Sequence, residues 1–310
     1  MRKLFAVLVV ALFAVSGVFA AGQGEDGQVQ IGVTIEDFND VFMRFLLDEL
    51  TDEAEQAGAE VIAADGRRDP NEQLKQIENF ITQGVDAIII HVIDQTTAPR
   101  ISELARDAEI PLVYVNRRPE DAALEGDNIV AVASPEEVAG RLQGEYVVEN
   151  MGESGNIAIL LGSLGSAPQI GRTAGAKEVF DQYPGIEVVR EQTANFQRAE
   201  AVAVVENWLA AGDQIDAIVC NNDEMALGAA LVLEEAGLLD EVIVTGVDAT
   251  PEALEAVEDG RLEMTVFQNA AAQGRGAVQA ALDLIAGEDV ENFVQIPFEP
   301  VTQENVDEYN

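Results

Sequence analysis

Amides, carboxylates and guanidiniums recur where apolar runs of this chain give way to polar residues. The stretch Cys220-Asn221-Asn222-Asp223-Glu224-Met225 follows the apolar run IDAIV and precedes AALVLEEAG, so it marks a buried strand turning into a helix. Comparable junctions carry Asp40 and Phe42 in EDFNDVF, Asn116 and Arg117 in LVYVNRRP, Arg172 in GSAPQIGR, Phe196 in TANFQR, Asp248 in VTGVDATP and Gln268 in TVFQN. Asn and Gln donate and accept hydrogen bonds, Arg only donates, and ionised Asp only accepts. That mixture suits vicinal hydroxyls, which do both, while the C–H faces of a polyol pack on aromatic rings such as Phe42 and Phe196. Arg117 and Arg172 are offset by Asp40 and Asp248, a balance that fits an uncharged ligand better than a phosphate or a carboxylate.

Each of these residues also has a plainer reading. Either Asn222 or Asp223 can cap a helix beginning at Glu224, and only one of the two is needed. Asp248 is less easily explained that way, because Thr250 and Pro251 already supply an N-cap and a first helical residue. Asn269 likewise caps AAAQGRGA and leaves Gln268 free. Arg117, beside Arg118 and Pro119, fits a solvated loop, and Arg172 a surface ion pair, although Gly171 and Gly175 near it permit close backbone approach. Phe42 and Phe196 are also ordinary core residues.

Groups that would turn a substrate over are sparse. His91, the only histidine, lies inside DAIIIHVID and reads as a core or strand-end residue. The sequence contains no P-loop, HExxH or nucleophile-elbow pattern, and the GxGxxG match at Gly22 to Gly27 follows no strand and opens no helix. A carboxylate pair of the glycoside-hydrolase kind stays open, because acidic residues are abundant. Cys220 is the only cysteine, so there is no internal disulfide or thiolate cluster, and no EF-hand loop occurs. No metal or other cofactor is expected.

The elements that must position these residues alternate almost without interruption. Strand-like VQIGVTI, AEVIAA, DAIIIHVI and IPLVYVN are separated by helix-like segments, and from Ser134 onward the series repeats with NIAILLG, IEVVREQ, IDAIVCN and EVIVTGVD. This rhythm predicts parallel sheets wrapped by helices, and in such sheets ligands sit beyond the carboxyl ends of the strands. Local echoes reinforce the repeat: QGVDAIIIHVID matches DQIDAIVCNNDE, and IPLVYVNRRP matches VIVTGVDATP. The chain of 310 residues, 48% hydrophobic, has room for two such domains. The closing segments RLEMTVFQN, AAAQGRGAVQAALDLIAG and NFVQIPFEPVT are too short for a third domain and are expected to cross back. The predicted fold is therefore α/β, two similar doubly wound parallel-sheet domains joined by a multi-strand hinge. One lobe spans residues 28–132 plus 269–295, the other 133–268 plus 296–310.

Composition excludes some partners. With 57 acidic against 17 basic residues the formal charge is -40, which opposes nucleic acid and anionic membrane surfaces. Residues 1–21 set Arg2 and Lys3 before an apolar run ending in Val18-Phe19-Ala20, the layout of an export signal cleaved near Ala20 or Ala21. A membrane anchor is the competing reading, but no stop-transfer pattern follows, and no cysteine near the cleavage point offers a lipid attachment site.

CNNDEMALGA, VTGVDATPEALEAV, GRTAGAKEVF, IPLVYVNRRP and QLKQIENFITQGVDAIII, in their order and spacing, resemble the solute-binding proteins of bacterial ABC sugar importers of the ribose/galactose type. Lactose-repressor-type transcription factors share the sensor fold but carry a DNA-binding domain where this chain has an export signal. The resemblance implies a monomeric periplasmic protein, not an enzyme, that closes two lobes on a small neutral sugar or cyclitol and presents it to an ABC permease in the inner membrane. It implies ligand contacts from Asp40, Phe42, Asn116, Arg117, Arg172, Phe196, Asn222, Asp248 and Gln268; with Asn222 on the ligand, the strand-to-helix junction leaves Asp223 for the helix end. Met43 stands where ribose binders usually have a second aromatic, and Asn116 where they have an aspartate. FNDVF and VNRRP look closer to the inositol and rhizopine-like branch, so a cyclitol such as myo-inositol is the first expectation and ribose or another aldose the second. A chemoreceptor or quorum-signal binder of the same fold, and a secreted carbohydrate-active enzyme, are the rival readings.

Overall fold

A computed structural model describes residues 27–309 of the chain, so the proposed export signal lies outside the described residues. The first sheet has the order β11-β5-β4-β3-β1-β2 and is parallel throughout. Its strands are β1 (Gln30–Ile35), β2 (Glu60–Asp65), β3 (Ala87–Ile90), β4 (Leu112–Asn116), β5 (Ile129–Ala133) and β11 (Phe293–Gln295). The second sheet, β12-β10-β9-β8-β6-β7, is built from β6 (Ser154–Leu161), β7 (Gly185–Thr193), β8 (Ala217–Cys220), β9 (Ile243–Thr245), β10 (Met264–Gln268) and β12 (Phe298–Thr302). One strand departs from the parallel pattern: β12, arriving by a direct crossing and not by a helix, runs antiparallel to β10.

Helices cover both faces of each sheet, which is why the inner strands are apolar without interruption. In the first sheet Ile31, Val33, Ile89, Val113 and Val115 pack against α1 (Val41–Gln56) and α9 (Ala270–Ala286). The alternate residues Ile88, Ile90, Leu112 and Tyr114 pack against α2 (Pro70–Gln83) and α3 (Ala98–Asp107). The same two-residue alternation divides the second sheet. Ala158, Leu160, Ile218 and Cys220 face α6 (Arg198–Ala211), α7 (Asp223–Ala236) and α8 (Pro251–Glu258), while Ile157, Ile159, Ala217 and Val219 face α4 (Glu136–Met151) and α5 (Ala167–Phe180).

The chain passes between the sheets three times: from β5 to α4 through Ser134 and Pro135, from β10 to α9 through Asn269, and from β11 to β12 through Ile296 and Pro297. Among the described residues no helix is long and apolar enough to cross a membrane, and no cluster of His, Cys, Asp and Glu is placed to hold a metal.

Candidate functional site

One cavity lies between the carboxyl ends of the two sheets, with about 440 Å³ of atom-free space including its open mouth. All nine residues singled out from the sequence line it, five of them from the second lobe and four from the first.

From the first lobe, Asp40 caps α1 by accepting the Met43 amide at 3.1 Å, so the carboxylate is fixed by the helix it starts. Phe42 and Met43, in the first turn, fill the core with one side and face the cavity with the other. Asn116 ends β4 with φ at 66°, and its amide donates to Gln273 Oε1 at 3.0 Å; Gln273 in turn donates to Ser134 Oγ at 3.2 Å. Arg117 is only 5% exposed and reaches Glu36 Oε2 at 2.6 Å while donating to the carbonyls of Val92 and Ile93.

From the second lobe, Arg172 is 3% exposed and spends its donors on Glu136 Oε2 at 2.7 Å, the Asn221 carbonyl at 2.6 Å and Gln268 Oε1, with Asp248 Oδ1 at 3.6 Å. Tight helix packing places it there. A Cβ on Gly140 would stand 1.8 Å from the Arg172 carbonyl oxygen, and one on Gly175 would stand 2.1 Å from that of Glu137, so only glycine lets α4 and α5 approach this closely. Phe196 adopts φ of 62° after Asn195 at 50°, which lays its ring over Gly162. Asp248 holds φ at 131°, with its backbone bonded on both sides to β10. Such conformations persist in non-glycine residues only where the surroundings impose them.

Several expectations are corrected. Helix α7 begins at Asp223, not Glu224, and its cap is Asn222, whose Oδ1 accepts the Met225 amide at 3.1 Å. Asp223 does not cap. It accepts Thr265 Oγ1 at 2.6 Å and the Thr250 amide at 2.9 Å, tying α7 to β10 and α8. Asn222 combines two placements, since the capping side chain also faces the cavity. The charge pairing differs too: Arg117 is met by Glu36 and not Asp40, Asp40 has Arg68 at 3.9 Å, and Arg172 has Glu136 as well as Asp248. The isolated reading of Arg117 and Arg172 as solvated or surface charges does not hold, because both are buried. Asn269 and Thr250 cap α9 and α8 as expected.

Glu36, Met43, Arg68, His91 and Pro168 also line the cavity, and Glu136 stands behind Arg172. Glu36, Arg68 and His91 follow the ends of β1, β2 and β3, so the rule that located Asn116 could have found them. Glu136 sits in a helix first turn after a crossing, where an acidic residue looks like an ordinary favourable helix charge.

Three carboxylates (Glu36, Asp40, Asp248) and three guanidiniums (Arg68, Arg117, Arg172) line the walls, and each guanidinium already has a close carboxylate partner: Arg68 has Asp37, Arg117 has Glu36 and Arg172 has Glu136. Burial pushes Asp248 well above the usual carboxylate range; Arg172 opposes this, and Asp223 and Asp40 add to it. Burial likewise raises Asp40 and Glu136, and it pushes Asp223 up to about 6. Burial works against the charge on Arg172, but Glu136 and Asp248 outweigh it and the guanidinium stays charged. Carboxylates stripped of water beside fixed donors are acceptors in want of hydroxyl protons.

The model of the periplasmic binding protein domain family matches residues 31–289. The putative rhizopine-binding protein of Rhizobium meliloti is 41% identical over 283 residues, covering 90% of this chain and 92% of that protein. The ribose import binding protein of Bacillus subtilis is 30% identical over 283 residues, covering 91% and 90%. Among solved structures, an ABC transporter solute-binding protein from Bacillus halodurans with bound myo-inositol superposes with a TM-score of 0.87 at 45% identity, covering 93% of this chain and 99% of that one.

Proposed function

The chain belongs to the periplasmic binding protein domain family, and from that premise we propose that it captures a neutral cyclitol, with myo-inositol first, and carries it to an ABC permease of the inner membrane. Ribose or another aldose is the second choice. The observation that carries this reading is the cavity in which planar amides, carboxylates and guanidiniums from both lobes converge, each guanidinium already paired with a carboxylate. A ring of hydroxyls donates to Asp40 and Asp248 and accepts from Arg117, Arg172, Asn116 and Asn222, while Phe42 and Phe196 cover its C–H faces. Gln268, already accepting from Arg172, offers its amide protons.

The lobes, residues 28–132 with 269–295 and 133–268 with 296–310, swing about the three crossings. A ligand that touches both lobes binds the closed form better and shifts the equilibrium toward it. The protein works exported to the periplasm, as a monomer, holding its cargo unchanged.

The test is a thermal-shift and calorimetric panel of myo-inositol, its isomers, ribose, xylose, glucose and galactose, with the ligand recovered afterwards and checked by chromatography. A selective rise in midpoint with myo-inositol, returned intact, supports the reading. Binding of none of the panel, or recovery of a product, would end it.

A further inference from the structure

We propose that His91 is a specificity-determining residue of this cavity, its imidazole hydrogen-bonding one particular hydroxyl of the bound polyol. The inference rests on the polyol reading above and goes beyond it by assigning a role to a side chain that looks, in sequence, like part of the core.

His91 follows the last residue of β3, and its backbone is held at both ends. Its amide donates to the Thr34 carbonyl at 2.9 Å, and its carbonyl accepts Gln73 Nε2 at 2.9 Å. The side chain is therefore aimed by the sheet itself. The residue is 1% exposed, yet it lines the cavity, and neither Nδ1 nor Nε2 finds a hydrogen-bond partner in the protein. The Asn116 carboxamide stands near enough to favour the charged ring slightly, but not in hydrogen-bonding geometry. Burial, and then the positive charge of Arg117, hold the ring well below its ordinary pKa, so it is neutral, with one N–H to donate and one lone pair to accept.

Two orphaned polar atoms on a buried ring are uncommon, because each has given up water for nothing. A plain core position would carry an apolar residue of similar volume. A hydroxyl, which both donates and accepts, satisfies either nitrogen whichever tautomer is present. A site built to hydrogen-bond a hydroxyl rejects the analogue that lacks it, since the protein group is then left unpartnered. His91 thereby makes the cavity sensitive to one position on the ring while the ion-paired arginines grip the rest.

The experiment compares wild type, His91→Leu and His91→Asn by calorimetry against myo-inositol and its monodeoxy derivatives, with the melting midpoint of each empty protein recorded. His91→Leu is expected to weaken myo-inositol binding roughly 10- to 100-fold and to leave affinity for one monodeoxy derivative nearly unchanged, without lowering the empty midpoint. His91→Asn, which keeps a donor and an acceptor, is expected to recover part of the loss. Equal affinity of His91→Leu and wild type for myo-inositol would overturn the assignment. So would a uniform loss against every derivative, because a packing defect does not know which hydroxyl is missing. If wild type itself binds no polyol, the functional reading fails and the role of His91 falls with it, whereas binding by wild type with no effect of His91→Leu sinks the histidine alone.

Discussion

Replacing Asp248 by Asn should move ligand affinity and fold stability in different directions. Asp248 is 8% exposed, and among the described residues the one cation paired with its carboxylate is Arg172 at 3.6 Å, too far for a strong bond. Arg172 would keep Glu136, the Asn221 carbonyl and Gln268 after the change. Burial, Asp223 and Asp40 all disfavour a negative charge at this position, so removing it relieves the fold. Stability of the empty protein is expected to stay level or rise by up to about 1 kcal/mol, the size of one modest electrostatic adjustment. Binding loses charge-assisted hydrogen bonds to hydroxyls, each contributing about 1.5–3 kcal/mol, and the amide turns one acceptor into a donor. A net loss of about 2–3 kcal/mol corresponds to roughly a 30- to 140-fold weaker Kd. Isothermal calorimetry with myo-inositol and denaturant melts without ligand measure the two quantities on the same preparations. Unchanged affinity would show that Asp248 does not meet the ligand; a fall of more than about 2 kcal/mol in the empty protein would show that the carboxylate holds the fold together instead.

Asn222 joins two roles that a pair of variants should separate. Asn222→Ser keeps a capping oxygen and should hold stability within a few tenths of a kcal/mol while weakening ligand binding; Asn222→Ala should also lose about 1 kcal/mol of stability in urea melts. Gly140→Ala must force α4 away from the Arg172 carbonyl, and a loss of about 1–3 kcal/mol is expected, together with weaker ligand binding because Arg172 moves; an unchanged melt would contradict the packing described. Glu263 is pushed up to about 7, mainly by burial, against the bond it accepts from the Val244 amide. Its folded pKa lies above the unfolded 4.5, so the native state holds an extra proton in that window and this group's contribution to stability falls as pH rises from about 4.5 to about 7. Glu263→Gln should flatten that slope in melts taken across the window, and an identical slope would rule the residue out as its source.

The alternation of apolar runs made both sheets legible, because strands buried on two faces leave no polar interruption to misread. The strand-end rule then located Asn116, Asp248 and Gln268. It stopped short at Glu36, Arg68 and His91, although each lies at a position the rule covers. Glu36 belongs to a run of acids, Arg68 to a pair of arginines in a turn, and a lone histidine among isoleucines looks apolar by association. Charge pairing was not legible at all: whether Arg117 meets Asp40 or Glu36 depends on which side of a loop each faces, and spacing along the chain does not encode that. The exchange between Asn222 and Asp223 has a similar cause. Both residue types cap helices well, and it is the Thr250 amide and the hydroxyl of Thr265, 42 positions away, that draw Asp223 elsewhere.

Asn116, Phe196 and Asp248 all twist the backbone into a region that suits glycine better than themselves. Selection for heat resistance alone would accordingly favour glycine at these three points, at some risk of added looseness in the unfolded chain, and would erase the side chains that face the cleft. The sturdiest version of this molecule and the version that grips its cargo best are different sequences, and the natural chain stands nearer the second.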